Sequence, residues 1–387
     1  MAGTTSSYQM EAIMTQLNEL YRIDNYNDTF ALGHYARVLD ALEKRTGRQV
    51  AFKVMRPEHI DPSGEIRWEF QAFGNEAEIL TRLSNSPNVL KLYDCGYISD
   101  HEEAPRIGNI DSFQKDVRGF VQSIPDYAER GWRPYLALEN MPRTDSLFYL
   151  MKPTRQNTRW RLPSEEGLSL AIQFSNLLSL AHAEQIVYLD YKLEHVYWDG
   201  TQLKVIDFNS SRQLENNNAE ALQQYAKDVH NLCVGVLYTI FTGMSPQKTS
   251  IRPQPSSQAD VEARYTDVNE LDFTMEPSLS ESLCELLQRG ASMRINNIQE
   301  FLNGLQRVAA NHGWDFPNYY TSPASRDARD QMRAGLQRMR DGQESIRIAR
   351  DLFRDAVIQD GITPDLEDEL RRLVVSINEM LTHRVVP

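Results

Sequence analysis

The chain has 387 residues, too many for one compact core, so a bilobal unit with an appendage is the expected organisation. Its 41 basic and 54 acidic residues give a net charge of −13, which argues against non-specific binding to nucleic acid or to anionic membranes. Cys95, Cys233 and Cys284 lack the spacing of a zinc site or a disulfide framework and read as reduced thiols of a cytoplasmic protein. No apolar run nears the about 18 residues that span a bilayer, and the N-terminus lacks the basic and apolar blocks of a signal peptide.

Residues 1–26 read as an N-terminal extension whose amphipathic stretch, Met10 to Tyr21, packs as a helix on the outside of the lobe that follows. From Asp28 the sequence turns strand-like, and a turn at Thr46-Gly47-Arg48 leads to Val50–Met55. In that strand, period-two alternation puts Val50, Phe52 and Val54 on one face and Ala51 and Lys53 on the other. The small Ala51 leaves room for a flat ring beside the ammonium of Lys53. The next helix, Glu69 to Ser84, carries Phe73, Ala77, Leu80 and Leu83 as one apolar stripe, with Glu76 inside it and Glu78 nearly opposite. A carboxylate on an apolar face needs a partner, and Lys53 is the candidate. Ser86-Pro87-Asn88 breaks this helix ahead of a strand at Val89–Tyr93. A polar insertion over 99–133 follows, with a helical pattern near Phe113 to Val121.

Beyond Pro142 the pattern is helical. Ser164-Glu165-Glu166 reads as an N-cap and acidic first turn ahead of a core stripe from Leu170 to Ala181. The stretch Tyr188 to Arg212 carries the chemistry. Asp190 and Lys192 share a short loop, and a hairpin with Asp199-Gly200 at its tip follows. Its second strand, Leu203–Ile206, delivers Asp207. Two carboxylates on loops braced by one hairpin suit phosphoryl transfer, one accepting the proton of an attacking hydroxyl and the other holding a metal on the phosphates. A polar run to Lys227 leads into a buried helix containing Asp228 and closed by Gly243. Residues 246–272 read as a surface loop. After a linker at 313–323, amphipathic helices are expected at 326–340, 345–359 and 366–381, the last two as a hairpin interrupted at Gly361–Asp365.

In order, these positions resemble the eukaryotic-type Ser/Thr protein kinase superfamily over about Asp28 to Val308. Tyr188-Leu189-Asp190-Tyr191-Lys192-Leu193-Glu194-His195 stands where that family has H-R-D-x-K-x-x-N, and Asp207-Phe208-Asn209 stands for D-F-G. The run Val50-Ala51-Phe52-Lys53 resembles the V-A-I-K strand. Ala31-Leu32-Gly33-His34-Tyr35-Ala36 is similar to a G-x-G-x-x-G flap that keeps only Gly33. The resemblance implies an α+β, bilobal protein-kinase-like fold, with an antiparallel β-sheet N-lobe at 27–141 (insertion 99–133) and a mainly helical C-lobe at 142–312. Residues 313–387 would form a linker and C-terminal helical extension.

The resemblance also implies site roles. Asp190 would be the catalytic base, Lys192 a phosphate contact, and Lys53 a phosphate-binding cation paired with Glu76. Gly33, Ala51, Leu138 as gatekeeper, and the backbone of Glu139 and Met141 would line the ATP site. Asp207 would hold magnesium, and His195, in place of the usual Asn, removes one metal site, favours manganese or bonds the loop. Asp228 would brace the catalytic loop. Arg294 would pair with an acid, Glu215 or Glu220, since no A-P-E motif is evident. Three functions follow: an atypical kinase acting on Ser/Thr of a protein, a pseudokinase serving as a nucleotide-regulated binding module, or a small-molecule kinase. In each of the first two, a protein partner is expected, with the C-terminal helices as one contact surface, and neither nucleic acid nor membrane is.

Overall fold

The computed structural model describes residues 15–26, 35–61, 63, 65–151, 161–216, 218–246, 258–314, 316, 331, 338, 342, 345–359 and 361–382. The chain divides into two compact units, Met1–Trp314 and Asp315–Pro387.

The first unit begins with a single helical turn, α1 (Leu17–Leu20), and then strand β1 (Tyr21–Tyr26). The helix expected over residues 10–21 is therefore limited to one turn among the described residues, and β1 joins the N-lobe sheet ahead of the boundary expected at residue 27. The reason is packing. Tyr21 and Ile23 alternate inward onto Leu39, Phe52 and Tyr135, and β1 pairs antiparallel with β2 (Ala36–Glu43). Strand β3 (Arg48–Met55) follows the turn at Gly47, whose φ of +69° suits glycine. Helix α2 (Trp68–Arg82) then crosses to β4 (Leu92–Ile98).

The insertion at 99–133 is built structure. It contains β5 (Ile110–Gln114), α3 (Val117–Gln122) and α4 (Ile124–Glu129), and it returns to β6 (Arg133–Glu139). The sheet order is β1-β2-β3-β6-β4-β5, antiparallel throughout, so β5 adds an outer strand beside β4. Asp94 stitches this side together by accepting hydrogen bonds from the hydroxyls of Tyr21 (2.7 Å), Tyr135 (2.8 Å) and Ser112 (2.8 Å). Arg133 is fully buried, its guanidinium donating to the carbonyls of Asp100, Met55 and Glu102. Buried cations persist only when their donors are satisfied, and these three bonds explain how the insertion is pinned to the lobe.

The C-lobe is mainly helical. It runs from α5 (Leu147–Leu150) to α6 (Ser164–Ala183), where Pro163 occupies the cap position and Ser164 is already helical. The paired strands β7 (Ile186–Val187) and β10 (Arg212–Gln213) frame the hairpin of β8 (Val196–Trp198) and β9 (Leu203–Val205). Asp199 closes that hairpin, its carboxylate accepting from the backbone N–H of Thr201 (2.8 Å) and Gln202 (2.7 Å). Helix α7 (Ala219–Leu232) is capped by Asn218 and starts well ahead of Asp228. It continues through a π-helical turn, Cys233–Leu237, into α8 (Tyr238–Thr242), which ends at Gly243 with φ +69°. Then come α9 (Gln258–Ala263), α10 (Glu281–Ala291) and α11 (Ile298–Asn311), the last packing on α6. In the second unit, α12 spans 345–357 and α13 spans Pro364–Thr382. The helix expected over 326–340 lies almost wholly outside the described residues. No helix among the described residues is long and apolar enough to cross a membrane.

Candidate active site

Lys53 sits in mid-sheet on β3, opposite Leu136 of β6, so its side chain leaves a strand paired on both edges and is largely buried. Its ammonium lies 2.6 Å from Oε2 of Glu76 and 2.8 Å from Oδ1 of Asp207. Glu76 is 1 % exposed on α2, on the stripe that the sequence pattern assigned to it. Burial opposes the charge of Lys53, but the carboxylates of Asp207 and Glu76 outweigh it and hold the ammonium well above its ordinary range. Burial likewise opposes ionisation of Asp207, and Lys53 and His195 outweigh it, holding that carboxyl well below its usual range. Three elements distant in sequence thus converge on one buried cation.

The Asp190 loop is braced from below. Asp228, fully buried on α7, accepts the backbone N–H of Tyr188 (2.9 Å) and Leu189 (3.0 Å) and contacts Nε2 of His182 (3.0 Å). These bonds hold Leu189 at φ +69°, and Asp207 stands at φ +62°. Non-glycine residues in the left-handed region store strain; Leu189 directly precedes Asp190, and Asp207 is itself one of the converging carboxylates. Asp190 itself is buried. Lys192 Nζ lies 3.3 Å from its Oδ2, and an Nη of Arg264 lies on Oδ1. Burial would raise the Asp190 carboxyl, but Lys192, His195 and Arg264 prevail and lower it.

His195 stands between the carboxylates. Its Nδ1 is 3.1 Å from the carbonyl of Asp190, and its Nε2 is 3.1 Å from Oδ2 of Asp207. A carbonyl only accepts, so Nδ1 carries the hydrogen and Nε2 faces a carboxylate. Two acceptors at that distance need a proton or a metal cation between them. Donor atoms of Asp190, His195 and Asp207 lie within 4.8 Å of one another, a set that fits a divalent ion.

Ala51 pairs with Leu138 across β3 and β6, and both are buried. The carboxylate of Glu139 bonds Lys204 of β9 (2.8 Å), which ties the end of β6 to the C-lobe hairpin. Met141 follows on the connecting stretch and is half-buried. Gly33 lies outside the described residues. Tyr35, just after it, turns inward. Its ring lies 5.8 Å from Lys53 Nζ and against Trp68 and Phe73, and its hydroxyl accepts a hydrogen bond from Nδ2 of Asn209. The residue that replaces glycine in the D-F-G triplet therefore fastens the exit of the flap.

Two corrections concern arginines. Arg294 is exposed and has no ion pair among the described residues, and Glu215 and Glu220 are exposed as well. The arginine that reaches the site is Arg264, from the stretch read as a surface loop. Val261, Tyr265 and Val268 of that stretch are buried and recur at helical spacing, the signal that would have separated it from a loop.

Comparison with known proteins agrees with this geometry. The protein kinase domain family matches residues 27–297. The chain is 28% identical over 199 residues to serine/threonine-protein kinase PKH2 of Candida albicans, covering 51% of this chain and 16% of that protein. It is 23% identical over 307 residues to DNA damage response protein kinase DUN1 of Saccharomyces cerevisiae, covering 70% of this chain and 52% of that protein. The chain thus spans about a sixth and about half of the length of these relatives. With the domain match running through both lobes and over well more than half of its length, this chain belongs to the protein kinase family.

Proposed function

We propose that the chain transfers the γ-phosphoryl group of ATP to serine or threonine hydroxyls of a protein acceptor. The observation that carries this reading is the double pairing of Lys53 with Glu76 and Asp207, because phosphoryl transfer depends on positioned charge more than on covalent chemistry by the protein. Lys53 would neutralise ATP phosphates while Glu76 keeps it aimed. Ala51 and Leu138 would enclose the adenine, with backbone groups of Glu139 and Met141 beside it, and Gly33 would lie in the flap above.

Asp190 takes the acceptor's hydroxyl proton. The hydroxyl oxygen then forms its bond to the γ-phosphorus as the bond from that phosphorus to the β,γ-bridging oxygen breaks, and that oxygen leaves on ADP with the electron pair. Lys192 offsets charge that develops beside Asp190. Asp207 and His195 would hold a divalent cation, which supplies charge neutralisation on the phosphates. An imidazole in the set suits manganese at least as well as magnesium. A cytoplasmic location fits the three unpaired cysteines, two of them buried.

The domain plan that goes with this reading is an N-lobe ending near residue 141, a C-lobe ending near 312, and a helical extension that contacts a protein partner.

The test is transfer of labelled phosphate from ATP to a degenerate Ser/Thr peptide library, with magnesium or manganese. Asp190→Asn and Lys53→Ala serve as controls. Incorporation that both substitutions abolish is the expected result. Nucleotide-dependent thermal stabilisation without incorporation into any peptide would instead favour a nucleotide-regulated binding module, and incorporation only into small metabolite alcohols would favour a small-molecule kinase.

A further inference from the structure

The acceptor side of Asp190 carries a feature that phosphoryl transfer alone does not call for. A general base needs a lone pair open to the incoming hydroxyl. Here Oδ1 bears the guanidinium of Arg264, while Oδ2 faces Lys192 Nζ at 3.3 Å and His195 Nδ1 at 3.5 Å.

Arg264 is not a loose surface side chain that happens to fall there. The hydroxyl of the next residue, Tyr265, donates to the carbonyl of Tyr191 (2.7 Å), one residue from the base. The Tyr265 carbonyl lies 3.1 Å from Nε2 of the buried His230. Its ring lies so close to Gly235 that a Cβ there would stand 2.7 Å from it, so the π-helical turn is shaped to receive the ring. Val261 packs with Val187, Leu189, Ala221 and Tyr225 beneath the same loop. The segment is anchored on both sides of Arg264, whose side chain, 13 % exposed, delivers its guanidinium to the base.

A neutral acceptor hydroxyl must displace a charge-assisted bond from Oδ1 and offers Arg264 nothing in return. An acceptor with its own anion beside the hydroxyl gives the guanidinium a replacement for Asp190, and Oδ1 is freed as that pair forms. In a chain of net charge −13, which repels acidic ligands at long range, two cations at this one spot give local selection for them.

We infer that Arg264 is a specificity-determining residue that selects serine or threonine acceptors flanked directly by an acidic side chain. The inference rests on the proposed phosphoryl transfer and narrows its substrate class.

The experiment uses the full chain and serine peptides in which one flanking position is Glu, phosphothreonine, Ala or Arg. The enzymes are wild type, Arg264→Ala and Arg264→Lys, each checked for folding by its thermal midpoint. Wild type is expected to favour the Glu or phosphothreonine peptides over the Ala peptide by about tenfold or more in kcat/KM, the size of one charge-assisted contact. Arg264→Ala should flatten that preference, chiefly by raising KM for acidic peptides. Arg264→Lys should keep part of the preference. The Glu and phosphothreonine arms distinguish a carboxylate from a phosphate as the favoured anion. Transfer by wild type without acidic preference, or a preference that survives in Arg264→Ala, overturns this inference and leaves the kinase reading standing. No transfer to any peptide overturns both.

Discussion

A Cβ placed on Gly74 would stand 3.2 Å from Cδ1 of Ile124 and 3.4 Å from Cγ2 of Val121, so these side chains of α3 and α4 pack directly on the bare backbone of α2. Gly74 and Glu76 lie on opposite sides of α2. One side of the helix is therefore seated on the insertion while the other holds Lys53.

This contact makes Gly74→Val an informative substitution. Overfilling a packed core costs about 1–3 kcal/mol. Moreover, any displacement of α2 is felt at the Lys53–Glu76 pair, so kcat/KM for phosphoryl transfer should fall with stability. Ile124→Ala also destabilises on its own, because it leaves a cavity. In combination the two losses should be less than additive, since the shortened side chain makes room for valine. Chemical denaturation of the two single variants and the double variant measures this, and strict additivity would mean that Gly74 and Ile124 do not press on each other.

The Asp228 brace gives a second expectation. Asp228→Ala leaves the buried N–H groups of Tyr188 and Leu189 without their acceptor, and an orphaned buried donor costs about 1–3 kcal/mol. The loss should therefore reach about 3–5 kcal/mol, the range for breaking a buried charged network, and Leu189 should relax from its strained backbone. Asp228→Asn keeps one carbonyl oxygen in place and should lose roughly half as much. Urea midpoints for the three proteins decide it; equal midpoints would show that the loop is held by something else.

Tyr35 and Asn209 supply a third. Removing the phenolic oxygen in Tyr35→Phe unties the flap exit from the D-F-N triplet while keeping the ring against Trp68 and Phe73. A lost hydrogen bond of about 1 kcal/mol corresponds to a rise of about fivefold in the KM for ATP, with kcat little changed. Asn209→Gly, which deletes the other partner, should reproduce the effect without adding to it in the double variant. Steady-state kinetics at varied ATP would expose the idea as wrong if either KM stayed at the wild-type value.

What could be read from the sequence, and what could not, divides along the range of the interactions. Period-two alternation placed Lys53 with Ala51 on the face opposite Val50, Phe52 and Val54, and the helical stripe singled out Glu76 rather than Glu78 as its partner, because each pattern is local and its period is fixed by backbone geometry. Asp228 was legible as a brace from its position in the motif order. Tyr35 was not singled out, because an aromatic in a flap has no local signature that says whether it points in or out. Strand β5 was hidden for a related reason. Ile110–Gln114 alternates only weakly, and its place is set by cross-strand bonds to β4 and by the hydroxyl of Ser112 on Asp94. Arg264 escaped notice because prolines and polar residues surrounding it dominate the composition, although Val261, Tyr265 and Val268 carry the helical spacing that anchors it.

His195 supports the final expectation. Its Nδ1 donates to the carbonyl of Asp190, which orients Nε2 toward Asp207, an arrangement in which a second partner fixes the donor face of a metal-binding imidazole. Magnesium prefers hard oxygen donors, whereas manganese tolerates nitrogen. Replacing His195 with Asn exchanges the imidazole nitrogen for an amide oxygen and removes the bond to the Asp190 carbonyl. The ratio of kcat/KM with manganese to that with magnesium should then drop by about tenfold, a change equivalent to about 1.4 kcal/mol of differential binding. Manganese affinity measured by electron paramagnetic resonance, without any turnover, should weaken in parallel. If both the ratio and the affinity are indifferent to the substitution, His195 serves only to hold the Asp190 loop, and Asp207 binds the cation without it.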